Sequence, residues 1–206
     1  MTPTVLIFLR APILGEVKTR LAVDVGEAEA LRIYRWLAER QLAAIPPDWP
    51  VEVHFTPATE KRRVMDWLGG GAGRTFFAQP EGVGLGERLI HATEGAFGRG
   101  AEGAFLIGAD CFGLDTRVLA EAAAGWEKGD TVLGPARDGG YYLLGIHRVN
   151  PELFTGISWG SERVAAQTRE HLMAAGMDWR ELPVLRDVDT LADWQAVQRD
   201  RAATLD

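Results

Sequence analysis

The sequence predicts an α/β fold, a doubly wound and mostly parallel central sheet with helices on both faces. Three observations carry this. Short apolar runs alternate along the chain with longer segments whose apolar residues recur at helical spacing. The first run, Thr4 to Leu9 (TVLIFL), is apolar throughout, as expected of a strand buried on both faces of a parallel sheet. A length of 206 residues with 47% hydrophobic content supports one core without disulfides or a structural metal, so residues 1–206 are expected to form a single domain.

The elements follow in order. After the first strand comes a turn segment around Pro12 and Gly15. Glu27 to Ile45 then places Leu31, Tyr34, Ala38, Leu42 and Ile45 on one helical stripe, and Pro46-Pro47 stops it. Val51 to Thr56 alternates as a strand, and Ala58 to Leu68 reads as a helix with Val64, Trp67 and Leu68 toward the core. Gly69 to Gly73 is a loop and Arg74 to Ala78 the third strand. A helix from Leu85 to Phe97, a strand from Ala104 to Ile107 and a helix from Thr116 to Trp126, capped by Asp115, come next. Strands at Thr131 to Leu133 and Tyr141 to Ile146 precede a helix from Glu162 to Ala175 with Ser161 as its cap. Trp179 to Leu182 is a short strand, and Leu191 to Ala202 closes the chain as a helix.

Composition excludes several classes. A net charge of −7 disfavours capture of nucleic-acid polymers or anionic membranes. Cys111 is the single cysteine, which rules out an intramolecular disulfide and a cysteine zinc site and points to a reducing cytoplasm. No secretory signal pattern opens the chain, and no apolar stretch approaches a membrane span. His54, His91, His147 and His171 fall on separate elements without metal-ligand spacing. The 24 glycines exceed ordinary usage. Gly15, Gly84, Gly86, Gly108, Gly139 and Gly140 fall in loops beyond strands, where backbone can approach a ligand.

Ligand sites of doubly wound sheets lie at the carboxyl ends of the strands, and four polar clusters sit there. Arg10 to Arg20 (RAPILGEVKTR) combines Pro12 and Gly15 with Lys18 and Arg20, a pattern for phosphate oxygens or for an ordinary solvated loop. Asp110 follows the AFLI strand and suits a hard cation bridging phosphates, or a helix cap, although Asp115 fits the cap better. Gly134 to Tyr142 (GPARDGGYY) offers Asp138 either as a turn residue or as a base in a loop longer than a tight hairpin needs. Asp189 and Thr190 are each a cap for the last helix or, for Asp189, a metal ligand. Trp159, in a Gly-flanked turn, could stack on a sugar or a base, or anchor an apolar lid.

In the order RAPILGEVKTRLA, VGLGERL, LIGADC, LGPARDGGYYLLG, LFTGISWGSERV and DVDT, the chain closely resembles a bacterial family assigned to glycosyl transfer. That family has the GT-A, or nucleotide-diphospho-sugar transferase, fold. The resemblance runs from about Val5 to Trp194. More distantly, the layout is similar to the guanylyltransferases of molybdenum cofactor and of phospholactate metabolism, which share the DVDT-type ending. The resemblance implies nucleotide binding by Arg10, Pro12, Gly15, Lys18 and Arg20, with Gly84, Gly86 and Arg88 near the base or ribose. It implies that Gly139 and Gly140 face the transferred group, and Tyr141, directly after them, and Trp159 are expected to bind substrate as well. Mg²⁺ or Mn²⁺ would be held by Asp110 and Asp189. Ala109-Asp110-Cys111 departs from the Asp-x-Asp usual in glycosyltransferases and matches the single acid of the nucleotidyltransferase branch; the first loop lacks that branch's Gly-rich, Arg-Met-Gly pattern.

The expected function is metal-dependent glycosyl transfer from a nucleotide-sugar to a small acceptor, with Asp138 as general base. Nucleotidyl transfer from a nucleoside triphosphate to a phosphorylated small molecule, releasing pyrophosphate, is the alternative. A non-catalytic nucleotide-binding protein on the same fold is the third.

Overall fold

The computed structural model describes residues 2–69 and 73–203. A seven-stranded sheet runs in the order β3-β2-β1-β4-β6-β5-β7. Its strands are β1 (Thr4–Arg10), β2 (Val51–Thr56), β3 (Arg74–Ala78), β4 (Ala104–Ile107), β5 (Thr131–Pro135), β6 (Tyr141–Ile146) and β7 (Trp179–Glu181). β1 pairs in parallel with β2 and β4, β2 with β3, and β5 with β7; β6 is antiparallel to both β4 and β5. The helices are α1 (Thr19–Val25), α2 (Glu27–Ala44), α3 (Lys61–Leu68), α4 (Leu85–Gly98), α5 (Thr116–Trp126), α6 (Val164–Ala174) and α7 (Leu191–Ala203).

Alternation along β1 explains why its sequence is apolar throughout. Val5, Ile7 and Leu9 pack into one face with Ala38 and Leu42 of α2, Val64 of α3 and Val118, Leu119 and Ala122 of α5. Leu6 packs into the opposite face with Leu89 and Ala92 of α4 and Leu172 of α6. A third cluster joins Leu21 of α1 and Ile33 and Leu37 of α2 to Val188, Trp194 and Val197. The mostly parallel α/β sheet with helices on both faces is therefore present as expected. No helix among the described residues is long and apolar enough to cross a membrane.

Four local readings need correction. α1 falls where the sequence predicts a turn; only Leu21 of its seven residues is buried, too weak a pattern to register. Gly26, at φ +83°, ends α1 and opens α2. The buried stripe of α2 is Ala30, Ile33, Tyr34, Leu37, Ala38, Gln41 and Leu42, and Leu31 is only half-buried, because this helix packs against both the sheet and the α7 cluster. The segment at 58–68 starts as a 3₁₀ turn, Ala58–Glu60, before α3. Ser161 does not cap α6, which begins at Val164; its hydroxyl accepts from the Arg163 N–H and donates to the Ser158 carbonyl, closing the preceding turn. Asp115 does cap α5, accepting from the Val118 N–H at 2.9 Å. Residues 70–72 of the glycine loop lie outside the described residues.

Candidate nucleotide and acceptor site

The site forms where β1 and β4 end. From β4 the chain runs through Gly108 and Ala109 to Asp110, and there it meets the segment leading into α7. Phe112 N–H donates to the Arg186 carbonyl, Val188 N–H donates to the Asp110 carbonyl, and Cys111 pairs antiparallel with Asp187. Val188 is fully buried, so the extended alternation turns Asp187 and Asp189 together to the other side of this short ribbon. Carboxylates far apart in the chain are thereby gathered.

Lys18 completes the cluster. Its Nζ lies 3.0 Å from Asp110 Oδ2 and 2.7 Å from Asp189 Oδ1, with the lysine side chain only 5% exposed. Burial pulls the ammonium pKa down, but Asp110 and Asp189 outweigh it and hold it above the ordinary lysine value. Lys18 is also the one non-glycine residue at positive φ among those described, φ 48° and ψ 44°. That conformation costs a side-chain-bearing residue about 1–2 kcal/mol, and the paired carboxylates compensate it.

No sequence pattern singles out Asp187. Burial, reinforced by Asp110 and Asp138 and opposed by Lys18, pushes its pKa up to about 8 from an ordinary 3.8, and its Oδ1 is buried without a hydrogen-bond partner. The local DVDT pattern reveals neither its burial nor these neighbours. Thr190 and Asp193 satisfy the start of α7, Asp193 Oδ2 accepting from the Thr190 N–H at 3.0 Å and the Thr190 hydroxyl accepting from Asp193 N–H. Asp189 is thus released from the capping role and faces Lys18.

Two clefts open on this cluster. The first, about 610 Å³, is lined by Arg10, Lys18, Arg20 and Arg88, with Tyr34, Gln79, Gly108, Asp110 and Asp189 among the other walls. The second, about 480 Å³, shares Phe8, Arg20, Leu85, Gly108 and Asp189 with the first and adds Leu89, Leu106, Asp138, Gly140, Tyr141, Trp159, Glu162 and Val164.

The framework of the first cleft is stiff. Tyr34 Oη donates to the Arg10 carbonyl at 2.7 Å and accepts from the Arg10 N–H at 2.9 Å, locking α2 to the end of β1. Gln79 Nε2 donates to the His54 carbonyl at 2.7 Å, Gln41 Nε2 to the Gly108 carbonyl at 2.9 Å. Local patterning places Tyr34 in the core and gives no signal for Gln79, because their polar contacts are nonlocal. Arg88 Nε is buried without a partner, while its Nη1 donates to Gln79 Oε1 at 3.5 Å.

Several expected site residues lie elsewhere. Pro12 lines a separate surface cleft beside Arg35 and Trp67. Gly15, at φ +79°, shapes the loop against the Glu27 carboxylate, and Gly84 opens α4. Gly86 and Gly139 allow close approach of protein to protein. A Cβ on Gly86 would strike the Phe154 carbonyl oxygen and lie 2.8 Å from Trp159 Nε1, and one on Gly139 would strike the Glu162 backbone. Asp138 Oδ1 accepts from the Gly140 N–H at 2.8 Å, so its turn role is real while it also lines the second cleft. Cys111 is buried and its thiol pKa is pushed up, first by burial, consistent with packing.

Residues 40–161 match the model of a family described as uncharacterized protein conserved in bacteria, DUF2064. The chain belongs to this family. It is similar to a protein from Desulfovibrio desulfuricans G20 provisionally named a nucleotide-diphospho-sugar transferase, at 32% identity and TM-score 0.89, over 97% of this chain and 88% of the other. Fold likeness extends to a CMP:2-keto-3-deoxy-manno-octonic acid synthetase solved with CTP, at 13% identity and TM-score 0.60, over 98% of this chain and 100% of the other. It extends also to a Mycobacterium tuberculosis H37Rv protein solved with manganese, at 13% identity and TM-score 0.57, over 96% and 99%. No protein of curated function matches the sequence.

Among the described residues of this DUF2064 member, no group of three or more His, Cys, Asp or Glu side chains forms a ready-made metal cage. A cage is not needed for Mg²⁺, which is usually bound by one or two carboxylates, with substrate phosphates and water completing the shell. Lys18 occupies Asp110 Oδ2 and Asp189 Oδ1, which leaves the second oxygen of each carboxylate, with the unpartnered Asp187 Oδ1 nearby, as the donors that fit such an ion.

Proposed function

We propose that the chain is a single-domain transferase that binds a nucleotide-sugar in the first cleft and passes its sugar to a small acceptor in the second. The observation that carries this reading is the meeting of a cation-lined cleft and an apolar cleft at Gly108, Arg20 and Asp189, where the strands end. Arg10, Lys18, Arg20 and Arg88 present positive charge to a diphosphate, and a guanidinium can bind two of its oxygens. Lys18, kept protonated by its two carboxylates, fixes Asp110 and Asp189 at the edge of the cleft, and Arg10, Arg20 and Arg88 supply the charge that meets the leaving diphosphate. The bond from the sugar's anomeric carbon to the diphosphate breaks and a bond to the acceptor hydroxyl oxygen forms. Asp138 takes the hydroxyl proton through the oxygen not engaged by the Gly140 N–H. Mg²⁺ or Mn²⁺, held by Asp110 and Asp189 with Asp187 alongside, would add positive charge against the leaving group. The lone Cys111 supports a cytoplasmic setting.

The single acid after β4, with Asp189 as its partner, favours a second reading, nucleotidyl transfer releasing pyrophosphate. Product analysis separates the two. Purified protein with Mn²⁺ and a panel of nucleotide-sugars is expected to release nucleoside diphosphate, and Asp110→Ala to abolish it. Pyrophosphate release from nucleoside triphosphates would establish the second reading, and nucleotide binding without any turnover would establish a non-catalytic protein.

A further inference from the structure

The second cleft carries information about the acceptor. We propose that it takes an uncharged hydroxyl-bearing molecule with an apolar face, such as an alkyl or aryl glycoside, and rejects phosphorylated sugars. The inference rests on the two-cleft reading above and names the class of the second substrate.

Three observations support it. The first is charge: Asp138, Glu162 and Asp189 line this cleft against Arg20 alone, and Arg20 also lines the first cleft. With Asp189 paired to Lys18, a phosphate here would still face the Asp138 and Glu162 carboxylates with one guanidinium shared with the first cleft, an unfavourable field in a partly enclosed site. The second is surface: Leu89, Leu106 and Val164 form an apolar floor, and Trp159 stands edge-on to Tyr141, with ring centroids 6.2 Å apart. Gly86 leaves room for the Trp159 indole, so this aromatic wall has one packed position. Aromatic walls accept the C–H face of a pyranose or an alkyl chain. The third is a specific polar group. Tyr141 Oη is buried and has no hydrogen-bond partner, although the residue lines the cleft. A buried hydroxyl left unpaired is costly, and a ligand hydroxyl would satisfy it.

The test is calorimetric titration of the full chain with octyl β-D-glucoside below its micellar concentration and with glucose 1-phosphate. The alkyl glycoside is expected to bind at least tenfold more tightly. Tyr141→Phe should weaken it threefold or more, while Glu162→Arg, at an exposed position on the cleft wall, should tighten glucose 1-phosphate at least fivefold. Equal or tighter binding of glucose 1-phosphate to the unmodified chain, no effect of Tyr141→Phe, or no glycoside binding at millimolar concentration would overturn the proposal. Titration with UDP, GDP, CDP, ADP and dTDP in parallel keeps the readings separate. Glycoside binding without any nucleotide binding would defeat the transferase reading alone, and nucleotide binding with preference for the sugar phosphate would defeat this inference alone.

Discussion

Lys18 Nζ lies 2.7 Å from Asp189 Oδ1 although 171 positions separate them in the chain. The same ammonium holds Asp110 Oδ2 at 3.0 Å, so one lysine ties the first loop to the end of β4 and to the entry of α7. Removing it leaves two carboxylates facing each other. Because those carboxylates are 38% and 46% exposed, water screens part of the loss, and Lys18→Met should cost about 1–3 kcal/mol rather than the larger penalty of a fully buried pair. Lys18→Gly should be about 1 kcal/mol more stable than Lys18→Ala, because glycine adopts the left-handed conformation without strain. Denaturant midpoints of the three variants check both numbers, and a glycine variant no more stable than the alanine one would argue against a backbone cost at this position.

Asp187 makes stability depend on pH. Its folded pKa, about 8, stands above the ordinary 3.8, so the folded chain holds a proton that the unfolded chain gives up. The resulting stabilisation is full below about pH 4 and is lost as pH rises through about 8. Asp187→Asn removes the titration and should flatten the profile, raising stability by about 1–3 kcal/mol at pH 8 relative to the unmodified chain. Denaturant melts in EDTA at pH 4 and pH 8 measure it; parallel profiles would assign the dependence to other groups.

Asp138 has two separable roles. Asparagine keeps the oxygen that accepts from the Gly140 N–H but cannot take a proton. Asp138→Asn should therefore leave the melting temperature within a degree or two and lower kcat about 10²-fold or more. Asp138→Ala should lower both. Undiminished kcat in the asparagine variant would reduce Asp138 to a turn residue.

Two neighbouring glycines behave differently. Gly84 has open space where an alanine methyl would sit, and Gly84→Ala should leave stability nearly unchanged. Gly86→Ala drives a methyl into the Phe154 carbonyl and the Trp159 indole, and should cost about 2 kcal/mol or more while displacing the Trp159 wall. Thermal melts and the near-ultraviolet dichroism of tryptophan compare them. A silent Gly86→Ala would mean that Phe154 and Trp159 move aside without cost.

The α/β alternation, the doubly buried β1 and the Asp115 cap are legible from local patterns, because strand period, helix period and capping depend on residues a few positions apart. Asp110 and Asp189 also stand out, from their places beyond β4 and before α7, but their shared partner does not. That Lys18 lies between them follows from the ribbon that pairs 110–112 with 186–188, a contact no local period encodes. Asp187 is electrostatically conspicuous only because folding surrounds it with acids and withholds a partner from Oδ1. The glycines make the same point. Their number marks the loops, but only packing separates Gly108, on the wall of both clefts, from Gly86 and Gly139, each pressed against the protein's own backbone. Local chemistry therefore determined the elements and most of the acids. Tertiary structure decided which groups share one electric field and which surfaces remain open to a ligand, since field and access depend on distances in space.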